Sequence, residues 1–203
     1  MSDIFDPPVD FAAHAHLQSL QQYQQMYDAS IADPEKFWAE IAESFTWFEK
    51  WNKVCNTTFD DPVDINWFVG GKTNITVNAL DRHLEARGDQ IALHWQANEP
   101  DEALTLTYRE VHKRVCQAGN ALKQLGVEKG DRVCIYMQMI PEAVVAMLAC
   151  ARIGAVHSVV FGAFSEDSLR DRINDSQCTV LITQDTAMRG DKRDIPMKAK
   201  ADV

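Results

Sequence analysis

The sequence predicts an α/β fold, a parallel sheet covered by helices and preceded by a mainly helical N-terminal segment. Three observations carry that prediction. Residues 132–183 alternate apolar runs with amphipathic stretches in β-α-β-α-β order, and strands joined in that order need crossover connections and therefore pair in parallel. The runs RVCIYM, AVHSVV and CTVLIT show little alternation of apolar and polar residues, as expected of strands covered on both faces. Finally, 203 residues with 46% apolar content can form a core, since a chain of this length buries roughly 70% of its unfolded surface. Nine Gly and seven Pro are too few for a collagen-like or linker-like chain.

Taken in order, the first third reads as helix with irregular connections. Ala13, Leu17, Leu20 and Tyr27 keep helical spacing through a Gln-rich stretch. A second helix opens with Asp33 as N-cap and Pro34 at its first position, and its apolar side runs through Phe37 or Trp38, Ile41, Phe45 and Phe48. Four of the five Trp fall between residues 38 and 67. Such density suits either a stacking platform for sugars or bases, or a segment that anchors itself to a larger domain by aromatic area, and the second reading is favoured. A short helix follows, with Val77, Leu80 and Leu84 on one face and Gly88 beyond its end.

From residue 90 the pattern changes, which predicts a boundary between an N-terminal segment, 1–89, and an α/β subdomain, 90–203. IALHW (91–95) and ALTLT (103–107) read as paired strands around a polar turn. Thr107 and Glu110 form a capping box before a helix with Val111, Val115, Ala118, Leu122 and Leu125 on its apolar face. Gly126 closes that helix and the strand 132–137 follows. Pro141 opens the next helix, Gly154 closes it, and 155–160 is a strand. Ser165 caps a helix containing Leu169 and Ile173, and 178–183 is the last strand of the unit. Ligands of such sheets meet the loops at the carboxyl ends of the strands, here Met139, Phe161 to Phe164, and the segment after Thr183.

Charge narrows the function. The net charge is −10, from 20 Lys+Arg against 30 Asp+Glu, and residues 1–66 carry twelve acids and three bases of this total. An acidic chain lacks the basic face that nucleic acid or an anionic membrane requires, so small-molecule substrates are expected. The opening MSDIFDPPVDF is acidic where export and transit signals are basic. The longest apolar run, Ala143 to Ala151, is far short of the ~20 residues that span a bilayer. Five widely spaced cysteines suit reduced, mostly buried thiols. Together these predict a cytoplasmic location.

Few motifs carry chemistry. Gly71, Lys72 and Thr73 end like a phosphate-binding loop, but Asn66 stands where that motif needs Gly. His14 and His16 are two apart and point to different sides of a helix, so no metal site is expected. His157 and Cys150 read as core residues. The turn Phe161, Gly162, Ala163, Phe164 would let a planar ligand approach the backbone, and a tight turn alone explains it equally well. Residues 187–203 hold five bases against three acids, either a solvated loop or a phosphate contact made by charge-assisted donors.

At greater length, WFVGGKTNITVNALDRHLE (67–85), TYREVHKRVCQAGNALKQLGVEKGDRVCIYM (107–137), IPEAVVAMLACARIGAVHSVVFGAFSEDSLRDRI (140–173) and, more loosely, RGDKRDIPMK (189–198) resemble the N-terminal part of the AMP-forming acetyl-coenzyme A synthetases, within the acyl-adenylate-forming enzymes. The segment MLACARIGAVHSVVFGAFS is closest to the acetate and propionate branch. The resemblance implies a two-step ligase. A carboxylate attacks the α-phosphate of MgATP, giving an acyl-adenylate and pyrophosphate, and the thiol of coenzyme A then displaces AMP to form the thioester. It also implies that the ATP loop, the nucleotide contacts, the metal ligand and the mobile C-terminal domain lie beyond this span, so the span is expected to be a truncated, inactive portion of the large domain of an acetate–CoA ligase, with a propionate–CoA ligase of the same family or a non-catalytic α/β binding module as the alternatives.

The carry-over of site residues is confined to coenzyme A. Phe161, Gly162 and Ala163 correspond to the family's turn facing the adenine. Arg189 and Lys192, flanking Gly190, correspond to the basic pair that meets the 3′-phosphate, and Ile195 lies beside the base. Ala163 stands where the family has Gly, Gln138 where Pro is common, and Arg193 leaves the register of the basic pair open by one position. No catalytic residue and no metal ligand are expected in the span. A sheet cut before its later strands would expose an unpaired edge, and self-association is expected from it.

Overall fold

The computed structural model describes residues 7–202. The opening residues 1–6, on which part of the export argument rests, and Val203 lie outside them. The chain divides into two compact units, Met1–Lys72 and Thr73–Val203, so residues 73–89, expected with the N-terminal segment, belong to the second. The physical reason is a set of bonds to the helix that precedes Gly154. Asn74 Nδ2 donates to the carbonyl of Ala151 at 2.9 Å, and Asp81 forms a two-pronged ion pair with Arg152, both contacts at 2.8 Å.

In the first unit the Gln-rich helical stretch is interrupted. Helix α1 covers Val9–His14, and α2, Leu20–Ala32, starts afresh with Ser19 accepting from the Gln22 amide. Asp33 caps α3, Pro34–Ala42, as expected, by accepting from the Lys36 amide at 3.0 Å. That helix stops at Ala42, before Phe45 and Phe48. An antiparallel hairpin follows, β1 (Lys53–Thr58) and β2 (Asp64–Val69), where sequence reading gave only irregular connection.

Aromatic rings pack this unit locally. Trp47 lies 4.9 Å from Trp51 and 5.4 Å from Phe68, centroid to centroid, and Trp38 meets Trp67 at 6.3 Å. Gly71 is required by this packing, since a Cβ there would stand 2.7 Å from the Trp47 ring. Lys72 Nζ pairs with Glu49 at 2.8 Å. The Gly-Lys pair of the failed phosphate motif is thus accounted for by ring packing and a surface ion pair.

The second unit opens with α4 (Ile75–Ala79), a single 3₁₀ turn (Asp81–His83) and α5 (Leu84–Arg87) in place of one short helix. Strands β3 (Ile91–Gln96) and β4 (Ala103–Thr107) pair antiparallel, and the Thr107–Glu110 capping box opens α6, Tyr108–Gln124. Val111, Val115 and Leu122 of α6 are buried, but Leu125 is its C-cap residue and 68% exposed; Val127 takes the core position instead. The layered part follows as β5 (Arg132–Met137), α7 (Pro141–Ile153), β6 (Val156–Phe161), α8 (Glu166–Ser176) and β7 (Val180–Thr183). Gly154 ends α7 at φ +80°, a left-handed conformation that favours glycine.

The sheet is parallel, in the order β6-β5-β7, with Ile135 opposite both Val159 and Ile182. Alternate residues of β5 serve two cores. Val133 and Ile135 face Val111, Val115, Ala146 and Ala149 of α6 and α7, whereas Cys134 and Tyr136 face Val160, Leu169 and Met197. That double coverage is why β5 reads as an unbroken apolar run. The basic stretch expected as a loop is ordered as a hairpin, β8 (Thr186–Arg189) and β9 (Lys192–Pro196), followed by α9 (Met197–Ala201). Of the five thiols, Cys134 and Cys150 are buried, and burial pushes both pKa values up to about 11; Cys55, Cys116 and Cys178 are half-buried. No helix among the described residues is long and apolar enough to cross a membrane.

Candidate functional site

Three segments gather at the carboxyl end of the parallel sheet: the residues after β5, the turn after β6, and the β8–β9 hairpin. Tyr136, nearly the last residue of β5, organises the turn. Its hydroxyl donates to the Phe164 carbonyl at 2.9 Å and, more weakly, to that of Gly162 at 3.3 Å, and burial raises its pKa, with the Glu166 carboxylate acting in the same direction. Gly162 lies hard against β5 and α9, since an added Cβ would be 3.2 Å from the Met137 carbonyl and 3.3 Å from the end of Met197. Phe161 and Phe164 meet edge to face at 5.8 Å, and the Arg172 guanidinium lies over Phe164 at 4.6 Å. The Phe161 ring is 61% exposed and Ala163 is exposed, so the turn offers an apolar surface to solvent.

In the hairpin Arg189 and Lys192 are direct cross-strand partners, and Gly190 makes the turn between them at φ +55°. Two like charges placed opposite one another repel, and no carboxylate among the described residues pairs with either; both are exposed. Arg193, the alternative member of the basic pair, is committed elsewhere, with its guanidinium 2.9 Å from Glu99 in the β3–β4 turn. Asn98 of that turn donates to the Gly190 carbonyl at 3.3 Å. The arrangement therefore leaves Arg189 and Lys192 as the pair available to an anion. Ala187 and Ile195 pack with Tyr136 and Met197, so hairpin and turn are braced by one apolar cluster.

The bonds that hold this end together are not legible in the sequence. Gln138 and Gln184 bridge β5 to β8, and Trp95 Nε1 donates to the Met139 carbonyl at 2.8 Å. Gln138 stands out in the sequence only as a departure from the family's usual Pro, and Gln184 only by its place after an apolar run. A cleft of about 550 Å³, lined by Cys116, Gly119, Lys123, Lys129 and Arg152, lies between α6 and α7 toward the amino end of β5, away from the candidate site. Among the described residues no three His, Cys, Asp or Glu side chains converge as a metal site, and His14, the last residue of α1, is not part of one.

The residue types present fit coenzyme A in kind. Two unpaired cations suit a phosphate, and an exposed phenyl ring suits the face of a purine. Comparison with known proteins agrees with the fold. Residues 80–202 match the family model of AMP-binding enzymes, and residues 23–79 match that of the acetyl-coenzyme A synthetase N-terminus. The chain belongs to the AMP-binding enzymes. It is similar, more particularly, to the N-terminal portion of acetyl-coenzyme A synthetases: that of Halorhodospira halophila is 52% identical over 98% of this chain and 30% of its own length. Those of Desulfatibacillum aliphaticivorans, 50% identical over 99% of this chain and 31% of the relative, and of Magnetococcus marinus, 53% over 100% and 32%, are alike. The chain thus spans about a third of the length of the curated relatives it matches.

Proposed function

We propose that this chain is the amino-terminal portion of an AMP-forming acetate–CoA ligase and supplies one wall of its coenzyme A pocket. In the parent, acetate attacks the α-phosphate of ATP and pyrophosphate leaves. The coenzyme A thiolate then attacks the acetyl carbonyl, forming the thioester C–S bond as the C–O bond of the mixed anhydride breaks and AMP leaves with its electron pair. Within that scheme the ring of Phe161 meets the adenine, with Gly162 and Ala163 keeping the backbone close. Arg189 and Lys192, held across Gly190, take the 3′-phosphate, and Ile195 braces the hairpin beneath the base. ATP and magnesium are held by residues outside this span, and the reading assigns no turnover to these 203 residues alone. It also assigns the parent to the cytoplasm and pairing between copies to the free edges of the sheet.

The observation that supports this reading best is the availability of Arg189 and Lys192 once Glu99 has engaged Arg193. Its test is calorimetric titration of the chain with coenzyme A and with dephospho-coenzyme A, which lacks only the 3′-phosphate. Coenzyme A is expected to bind at least tenfold more tightly, and Arg189→Ala with Lys192→Ala to abolish that preference. Equal binding of the two ligands by the unaltered chain would refute the assignment of the basic pair.

A further inference from the structure

The register of the β8–β9 hairpin shifts between Ala187 and Arg189, where the single residue Met188 of β8 stands against two residues of β9, Arg193 and Asp194, the latter at φ +56°. Such a shift disrupts the ladder on both strands, and a half-buried N–H without a partner is costly. Here the Met188 N–H donates to Gln138 Oε1 at 2.9 Å. The Gln138 N–H in turn donates to Gln184 Oε1 at 2.7 Å, and Gln184 Nε2 to the Thr186 carbonyl at 2.7 Å. Thr183 Oγ1 completes the set by donating to the Tyr136 carbonyl at 2.9 Å. One residue, Gln138, thus uses both its backbone donor and its side-chain acceptor to pin the start of the hairpin to the end of the central strand.

From this we infer that Gln138 is a positioning residue for anion recognition: it sets the direction in which Arg189, the residue after Met188, presents its guanidinium. The inference rests on the reading of Arg189 and Lys192 as the 3′-phosphate contact. The hairpin has two other restraints. The Glu99 and Asn98 contacts hold its turn, and Ala187 and Ile195 are packed in the cluster below. None of these bonds the peptide between Ala187 and Met188, whose N–H is the one that Gln138 accepts. A proline at position 138 would abolish both contacts at once, having neither an N–H nor a carboxamide. The bond to Gln184 needs only a backbone N–H at position 138, whereas the bond to Met188 is a property of the glutamine side chain.

The test uses the whole chain and two variants. Gln138→Leu keeps the volume and removes the acceptor; Gln138→Glu keeps an acceptor oxygen at the same reach. Gln138→Leu is expected to weaken coenzyme A binding about tenfold while dephospho-coenzyme A changes less than about twofold. Gln138→Glu is expected to retain the preference for the 3′-phosphate, a rescue that simple loss of fold could not give. Amide exchange at Met188 should be slow in the unaltered chain and in Gln138→Glu, and fast in Gln138→Leu. If the unaltered chain prefers coenzyme A and Gln138→Leu keeps that preference in full, the inference is overturned and the reading of the basic pair stands. If the unaltered chain shows no preference, the reading fails and the inference falls with it.

Discussion

Asp81 shows how one residue can govern where a unit begins. Its carboxylate accepts both guanidinium nitrogens of Arg152, and the His112 imidazole lies 3.4 Å away, with side chains about a quarter exposed. The hydrogen bonds from Arg152 lower the Asp81 pKa against the opposing effect of burial, and those to Asp81 raise that of Arg152, so both partners favour the charged pair. Arg152→Ala leaves a partly buried carboxylate without its partner and is expected to cost about 2 kcal/mol, read from urea denaturation at neutral pH. Because the folded pKa of Asp81 lies below its unfolded value of 3.8, its contribution is present above about pH 4 and disappears as the pH falls through the folded value. Asp81→Asn should therefore be the less stable protein at pH 7, with the gap to the unaltered chain closing in acid. A gap that stays constant with pH would show the pair to be unimportant.

Among the elements, α6 is the one whose start is most completely specified. Thr107 Oγ1 accepts from the Glu110 amide at 3.2 Å, while the Glu110 carboxylate accepts from the Thr107 amide at 2.8 Å and from the Thr107 hydroxyl at 2.9 Å, and the two bonds to the carboxylate keep it below its ordinary pKa. Thr107→Ala is expected to destabilise the chain by about 1 kcal/mol and Thr107→Ser by only a few tenths, measured as shifts in the denaturation midpoint. The other end of the same helix was less legible. Leu125 keeps the apolar spacing, yet the chain leaves the helix there and the side chain faces solvent, because Val127 fills the core beside Leu122. Spacing alone does not tell where a helix stops. Two of the three antiparallel hairpins, β1–β2 and β8–β9, were missed for a related reason: their strands are mostly exposed and, apart from Trp67–Val69 at the end of β2, interleave polar with apolar residues.

For the molecule as a whole, the parallel sheet has three strands, and its outer strands β6 and β7 each pair on one side among the described residues. Strand β6 leaves Val156 and Val159 each 53% exposed and Phe161 61% exposed, an apolar edge of the kind that pairs with another chain. Sedimentation over a hundredfold concentration range is expected to show the average mass rising, and Val159→Lys to restore a monomer. A single, concentration-independent monomer in the unaltered chain would dismiss the pairing.

The class of fold, the order of the layered elements, the capping box and the helix boundaries at Asp33 and Gly154 are all written in the chain, because each follows from local stereochemistry or from the period of apolar residues along one element. The sequence also supplied the long resemblance that led to Phe161, Gly162, Ala163, Arg189 and Lys192. Folding adds which basic residue of 189–193 is spent on Glu99, that residues 73–89 join the second unit, that Gly71 serves a tryptophan, and that Gln138 bonds the hairpin. Each of these depends on a partner distant in the chain, and spacing along a sequence carries no record of which distant groups meet.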